Sequence, residues 1–243
     1  MHWADYTAQR LMERGDEQVS ASGITPSGEF HIGHLREILS AEMIHRACLD
    51  AGMSSKYIFI VDSMDPLRRV YDFLSPEYEE FIGCPLAYIP APDEDGSPGD
   101  GSVTDADHFL SPFLDSLEQI GVRPEVVMNH ETYERGLFAE YIDSAITNRE
   151  EIRSIIQQIS GRELPHDWFP YNPMGSGGSM DGVTVTGYEK PYVVWRDSSG
   201  NEGKSDIRKA HGKMPWRVDW AARWVIHGIS CEPAGTDHGA AGG

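Results

Sequence analysis

The sequence predicts an α/β fold built on a parallel sheet, and three features carry that expectation. A short apolar strand at residues 19–22 runs into a glycine-rich turn from Gly23 to Gly28 and then into an amphipathic helix. A second strand follows that helix at residues 56–62, Lys-Tyr-Ile-Phe-Ile-Val-Asp, the most β-rich run in the chain. From Pro165 the composition changes to Gly, Pro, Ser and β-branched residues, which reads as a small β-rich insertion between two parts of that fold.

Taken in order, residues 5–16 read as a helix with Leu11 and Met12 turned inward. The helix after the glycine turn is carried by Leu35, Ile38, Leu39, Met43, Ala47 and Cys48, and ends near Gly52. Strand, helix, strand implies a parallel crossover unit. Asp62 and Asp65 fall where the second strand ends, the sheet edge at which α/β folds bind ligands. Asp65 precedes Pro66 and is assigned a capping role. Residues 90–104 are turn formers and acids and read as a surface loop. A helix at 105–120, a strand at 125–129 and helices at 137–146 and 149–159 follow. In the insertion, strands are expected at 183–186 and 192–195, with Trp168, Phe169, Tyr171, Tyr188, Tyr192 and Trp195 as its core. Arg149 and Arg153 are expected to pair with Glu150 or Glu151 on a helix surface.

A chain of 243 residues with 40% hydrophobic and 10% aromatic content can bury a real core. No apolar run approaches the roughly 20 residues that a membrane span needs, and Met1 to Asp5 lacks the basic and apolar regions of a signal peptide. Cys48, Cys84 and Cys231 are isolated, which fits a reducing cytoplasm and neither a disulfide framework nor a zinc site. The formal net charge is −19. An excess of acid with few lysines is one response to high salt, where screening shortens electrostatic range, so the charge is read as solvation.

The most informative stretch is Ala21-Ser22-Gly23-Ile24-Thr25-Pro26-Ser27-Gly28-Glu29-Phe30-His31-Ile32-Gly33-His34. A glycine-rich loop that feeds a helix N-terminus presents unpaired N–H groups and the positive dipole end to an anion. Gly33 leaves room for a flat ring against the backbone, and His31 and His34 can donate to phosphate oxygens. At these residues the chain resembles the class I aminoacyl-tRNA synthetases, whose His-Ile-Gly-His signature grips ATP. This prefix, with Lys213-Met214-Pro215-Trp216-Arg217-Val218-Asp219-Trp220 and Gly235-Thr236-Asp237-His238-Gly239-Ala240-Ala241-Gly242-Gly243, is similar to the class I lysyl type specifically.

The resemblance implies a Rossmann-like sheet and lysine–tRNA ligation with ATP and accompanying Mg2+. His31 and His34 would be catalytic. Gly23, Thr25, Gly28, Gly33, Gly235 and Asp237 would hold the nucleotide. Trp216, Asp219 and His238 would face the substrate lysine, and tRNA would bring its acceptor end. Trp220 and Trp224 read as a helical core stripe. The basic segment Lys204, Arg208, Lys209, His211, Lys213 and Arg217 is either a contact for tRNA or a solvated loop balancing nearby acids.

The chain departs from that family in two ways. In many class I lysyl enzymes the matching insertion carries paired cysteines that resemble a zinc ribbon; here the matching segments, 172–179 and 195–200, hold no cysteine or histidine, so no structural zinc is expected. No Lys-Met-Ser-Lys-Ser-type loop is found, and the chain stops just after the Gly-Thr-Asp-His block, which reads as a catalytic fragment. The expected division is a nucleotide-binding part at 1–164, the insertion at 165–212, and a return to the catalytic part at 213–243. The alternatives are a module for another amino acid or a non-catalytic fragment that binds an adenylate or tRNA acceptor end.

Overall fold

The computed structural model describes residues 1–161 and 163–236. Helix α1 (Trp3–Met12) leads to β1 (Glu17–Ile24), α2 (Ile32–Asp50) and β2 (Ser54–Val61). Helix α1 starts and ends earlier than expected, with Glu13 at its C-cap and the strand beginning at Glu17; Leu11 is buried as expected, but Met12 is exposed because it falls on the outer face. After a long irregular segment come α3 (Asp105–Gln119), β3 (Glu125–Met128), α4 (Asn129–Glu134), α5 (Ala139–Thr147) and α6 (Arg149–Ser160). On the surface of α6, Arg149 and Arg153 both reach Glu150, as expected.

Strands β1, β2 and β3 form a parallel sheet in that order, with Ile24 beside Val61 and Val61 beside Met128. On the open side of β1, Cys231 adds a parallel bridge to Ser20, and Ala21 N–H donates to its carbonyl at 2.9 Å. The late segment 230–236 is thereby laid beside the glycine turn that ends β1. One core packs Ile38 and Ala41 of α2 and Leu110, Phe113 and Leu117 of α3 against Tyr57, Phe59 and Val61 of the sheet. Those side chains recur at the helical period in the helices and lie together in the sheet.

The region after α6 holds β4 (Asn172–Pro173), β5 (Thr184–Glu189), β6 (Tyr192–Arg196), β7 (Glu202–Asp206) and β8 (Gly212–Lys213), followed by α7 (Trp216–Ile226). Strands β5, β6 and β7 form an antiparallel sheet, and β4 pairs with β8. Strands β4, β7 and β8 were not expected: two are only two residues long, and Glu202–Asp206 is polar throughout. Tyr171 and Trp195 are buried, whereas Tyr192 is exposed. Tyr171, Val193 and Ile207 share one core with Tyr133, Phe138 and Ile142 of the preceding helical part.

The segment 90–104 is more organised than a plain surface loop, with bridges Pro90–Thr104 and Pro92–Pro98. Under it lies Asp105, buried at the start of α3 with Oδ1 lacking a hydrogen-bond partner. Desolvation drives this carboxyl up to about 7. An acid raised in the folded state favours folding while protonated, and that contribution is lost as pH climbs from about 4 through 7. Asp105→Asn should therefore flatten the stability profile across that window and stabilise the protein at pH 8 by roughly 2–4 kcal/mol. Denaturant titrations at pH 4 and pH 8 would refute this if the variant followed the same pH slope as the parent.

Candidate active site

The glycine turn delivers its residues to the head of α2. His31 is the N-cap: its Nδ1 accepts from Gly33 N–H at 3.0 Å, while His34 Nδ1 accepts from His31 N–H at 3.1 Å. Two imidazoles thus satisfy two of the donors that a helix start leaves open. Because each Nδ1 accepts, each neutral ring carries its proton on Nε2. The rings stack with centroids 3.9 Å apart. Partial burial and the neighbouring His31 hold His34 below the ordinary imidazole range. Gly33 is needed at its place, since a Cβ there would lie 2.8 Å from His31 Cε1. The histidines, with Thr25, Gly28, Phe73, Asp93 and His108, line a cavity of about 940 Å³.

A second cavity of about 230 Å³ opens at the ends of β1 and β2. Gly23 and Thr25 form one side, Trp216, Trp220 and Arg223 of α7 another, and Glu37, Asp62, Asp65 and Glu232 bring carboxylates. Its floor is a buried ionic cluster. Lys213 Nζ lies 2.9 Å from Asp65 Oδ1 and 3.8 Å from Asp219 Oδ2. Arg223 Nη1 lies 2.9 Å from Asp62 Oδ1, and its Nε 3.1 Å from Asp219 Oδ1; both are ion-pair contacts without hydrogen-bond alignment. Tyr133 Oη donates to Asp219 Oδ2 at 2.6 Å, and Thr25 Oγ1 to Asp65 Oδ2 at 2.6 Å. Burial pushes the Asp62 carboxyl up to about 6, against the attraction of Arg223. Burial works in the same direction on Asp65, but Lys213 and the Thr25 hydroxyl outweigh it and hold that group below its ordinary value. Burial disfavours the charge on Lys213, yet Asp219, Asp65 and Asp62 raise its pKa overall. A third cavity, of about 320 Å³, lies between Gly33, Arg36 and Glu37 of α2 and residues 233–236.

A model of the family described as tRNA synthetases class I (K) matches residues 1–243. The chain belongs to that family. It is 42% identical over 244 residues to the lysine–tRNA ligase of Picrophilus torridus, covering 100% of this chain and 46% of that protein. With the lysine–tRNA ligase of Archaeoglobus fulgidus the identity is 43%, over 100% of this chain and 48% of the relative. With that of Methanocaldococcus jannaschii it is 41%, over 100% and 46%. The chain spans about half the length of these curated relatives.

Within this class I synthetase fold, the residues read from sequence are distributed among adjoining spaces. Gly23 and Trp216 line the smaller cavity, Gly28, His31 and His34 the larger, and Thr25 both. Gly33 and Gly235 line the third. Asp237 and His238 lie outside the described residues. Asp219, expected to face the substrate, does not line the smaller cavity: it is wholly buried, with its oxygens beside Lys213, Arg223 and Tyr133. Asp65 does not cap a helix but pairs with Lys213. Trp220 and Trp224 are not a core stripe, for Trp220 lines the cavity and Trp224 is 39% exposed. Of the basic segment, Lys204 pairs with Glu189 and Arg208 with Asp206, in keeping with the alternative in which it balances nearby acids, whereas Lys213 is buried.

Sequence reasoning missed Glu37, Arg68, Arg223 and Glu232 in the cavity lining. Glu37 had a signal, since it stands three residues after His34 on the same helix. Glu232 had none, because only the return of the chain beside β1 brings it to Gly23. Among the described residues no helix is long and apolar enough to cross a membrane.

Proposed function

We propose that the protein is an ATP-dependent lysine–tRNA ligase. The observation that carries this reading is the small cavity beside the His-Ile-Gly-His turn, where Glu37, Asp62, Asp65 and Glu232 face Arg68 and Arg223 among two indoles. An excess of carboxylate with aromatic walls suits an amino acid that bears an extra ammonium group. In the first step a lysine carboxylate oxygen bonds to the α-phosphorus of ATP and the bond to pyrophosphate breaks. In the second, a hydroxyl of the terminal ribose of tRNA takes the acyl group and AMP leaves. Neither step needs a covalent enzyme intermediate, so the protein's work is positioning and charge stabilisation. His31 and His34 would aim their Nε2–H donors at phosphate oxygens, while Gly33 and Gly235, with Asp237, would receive the nucleoside. Trp216 would wall the amino-acid space. Mg2+ would accompany ATP and offset its charge, and the reaction would take place in the cytoplasm.

A zinc-free insertion is part of the same reading. At the turns 172–179 and 195–200, where the family resemblance implies paired cysteines, Ser176 Oγ donates to Asp197 Oδ2 at 2.7 Å. Asn201 Nδ2 donates to both Ser176 Oγ and Asp197 Oδ2, at 3.1 Å each. These groups satisfy one another, and an oxygen-and-amide set does not suit structural zinc, which takes thiolates and imidazoles.

The test is ATP–pyrophosphate exchange by the full-length gene product with each standard amino acid, followed by charging of total tRNA. Lysine should give the highest kcat/KM by at least about 100-fold over neutral amino acids. Equal exchange with a neutral amino acid would point to a module of another specificity, and no exchange with any would point to a non-catalytic binding fragment.

A further inference from the structure

Glu232 is held in an unusual way. Trp220 and Trp224 stand one turn apart on α7, and both indole Nε1–H groups donate to the same oxygen, Glu232 Oε2, at 2.7 and 2.6 Å. The two rings meet edge to face with centroids 5.0 Å apart. The backbone is anchored as well, because the preceding residue, Cys231, is bonded to β1. Glu232 is thus fixed at both ends, an arrangement that costs little ordering when a ligand arrives.

The donors that hold it are neutral. Asp62 faces Arg223, and Asp65 faces Lys213. Among the described residues Glu232 closes no such ion pair; Arg223 feels its charge from nearby, and the indoles orient that charge without themselves cancelling it. With Oε2 occupied by the indoles, Oε1 is turned toward Gly23: a Cβ there would lie 3.4 Å from Arg223 Nη1, 3.5 Å from Asp62 Oδ2 and 3.6 Å from Glu232 Oε1. Gly23 lines the cavity together with Glu232 and Trp220. The absence of a side chain at Gly23 leaves that carboxylate oxygen open to a ligand.

Resting on the reading that this cavity takes a cationic amino acid, we propose that Glu232 receives the side-chain ammonium of that substrate, and that Trp220 and Trp224 are positioning residues that aim its carboxylate. A charged hydrogen bond to an oriented carboxylate gives discrimination against isosteres that lack the ammonium, because such a ligand would leave the carboxylate desolvated and unanswered.

The experiment compares lysine with norleucine, which has the same chain without the side-chain ammonium, in pyrophosphate exchange by the full-length gene product. Glu232→Gln should raise KM for lysine about 10–100-fold and lower the lysine-to-norleucine preference by a similar factor, with norleucine itself little changed. Trp224→Phe keeps a ring at an exposed position but removes one donor, and should raise KM for lysine about 3–10-fold with kcat within about twofold. It also serves as the informative variant if Glu232→Gln does not fold. An unchanged preference ratio in the variants, or an equal loss for lysine and norleucine, would overturn the assignment while leaving lysine activation intact. A wild-type enzyme that prefers a neutral amino acid would instead overturn the underlying reading.

Discussion

Lys213→Met is expected to destabilise the protein by about 3–5 kcal/mol at neutral pH. Methionine keeps a straight chain of similar reach but removes the ammonium. Lys213 is 4% exposed, and its Nζ stands between Asp65 and Asp219. Without it, three buried carboxylates face Arg223 alone, and the variant must either carry an uncompensated charge or take up a proton. The sign with pH follows. Losing the cation raises the folded-state pKa of Asp65, which Lys213 and Thr25 otherwise hold low. A carboxylate raised in this way lends the variant stability at low pH that is lost as pH rises, so the deficit should be larger at pH 8 than at pH 4. Urea unfolding at both values is the check. A loss below about 1 kcal/mol, or one that is the same at both, would show that the cluster is hydrated and that its charges are not coupled as described.

The second large effect concerns rate. On the proposal that His31 and His34 stabilise charge on the phosphates of ATP, alanine at either should slow adenylate formation about 10²–10³-fold, the usual cost of removing one transition-state donor. Affinity for lysine should change far less. His31 also caps α2, so its alanine variant should lose a further 0.5–2 kcal/mol or about that much in stability. His31→Asn separates the two roles. Asparagine is a good N-cap and should restore stability, yet it cannot place a donor where Nε2 stands and should not restore the rate. Pre-steady-state adenylate formation by the full-length gene product, alongside thermal unfolding, reads both. Near-wild-type rates in both alanine variants, or rescue of rate by asparagine, would leave the histidines with a capping role only.

Local pattern made much of the fold legible. Alternating and 3.6-residue periodicities are properties of neighbouring residues, so β1, α2, β2, α3 and the helices of 139–160 could be read before any contact was known. The weak points were elements with no local signature. The strand Glu202–Asp206 is polar throughout and is held by pairing with β6, where Trp195 Nε1–H donates to the buried Ser205 Oγ at 3.1 Å. The strands of two residues at 172–173 and 212–213 are too short to show a period.

The site divides along the same line. Sequence by itself determined the His-Ile-Gly-His helix start, the glycine turn before it and the family likeness, because each depends on residues close together in the chain. Only the tertiary structure decided which charges answer one another. Asp219, read as a substrate contact, lies under the cavity because Tyr133, far away in the chain, meets it there together with the nearby Lys213. Trp220 and Trp224, read as core, face Glu232 because the bridge from Cys231 to β1 brings that carboxylate back across the sheet. Coulomb energy depends on separation and burial, and neither is written in the spacing of residues along a chain.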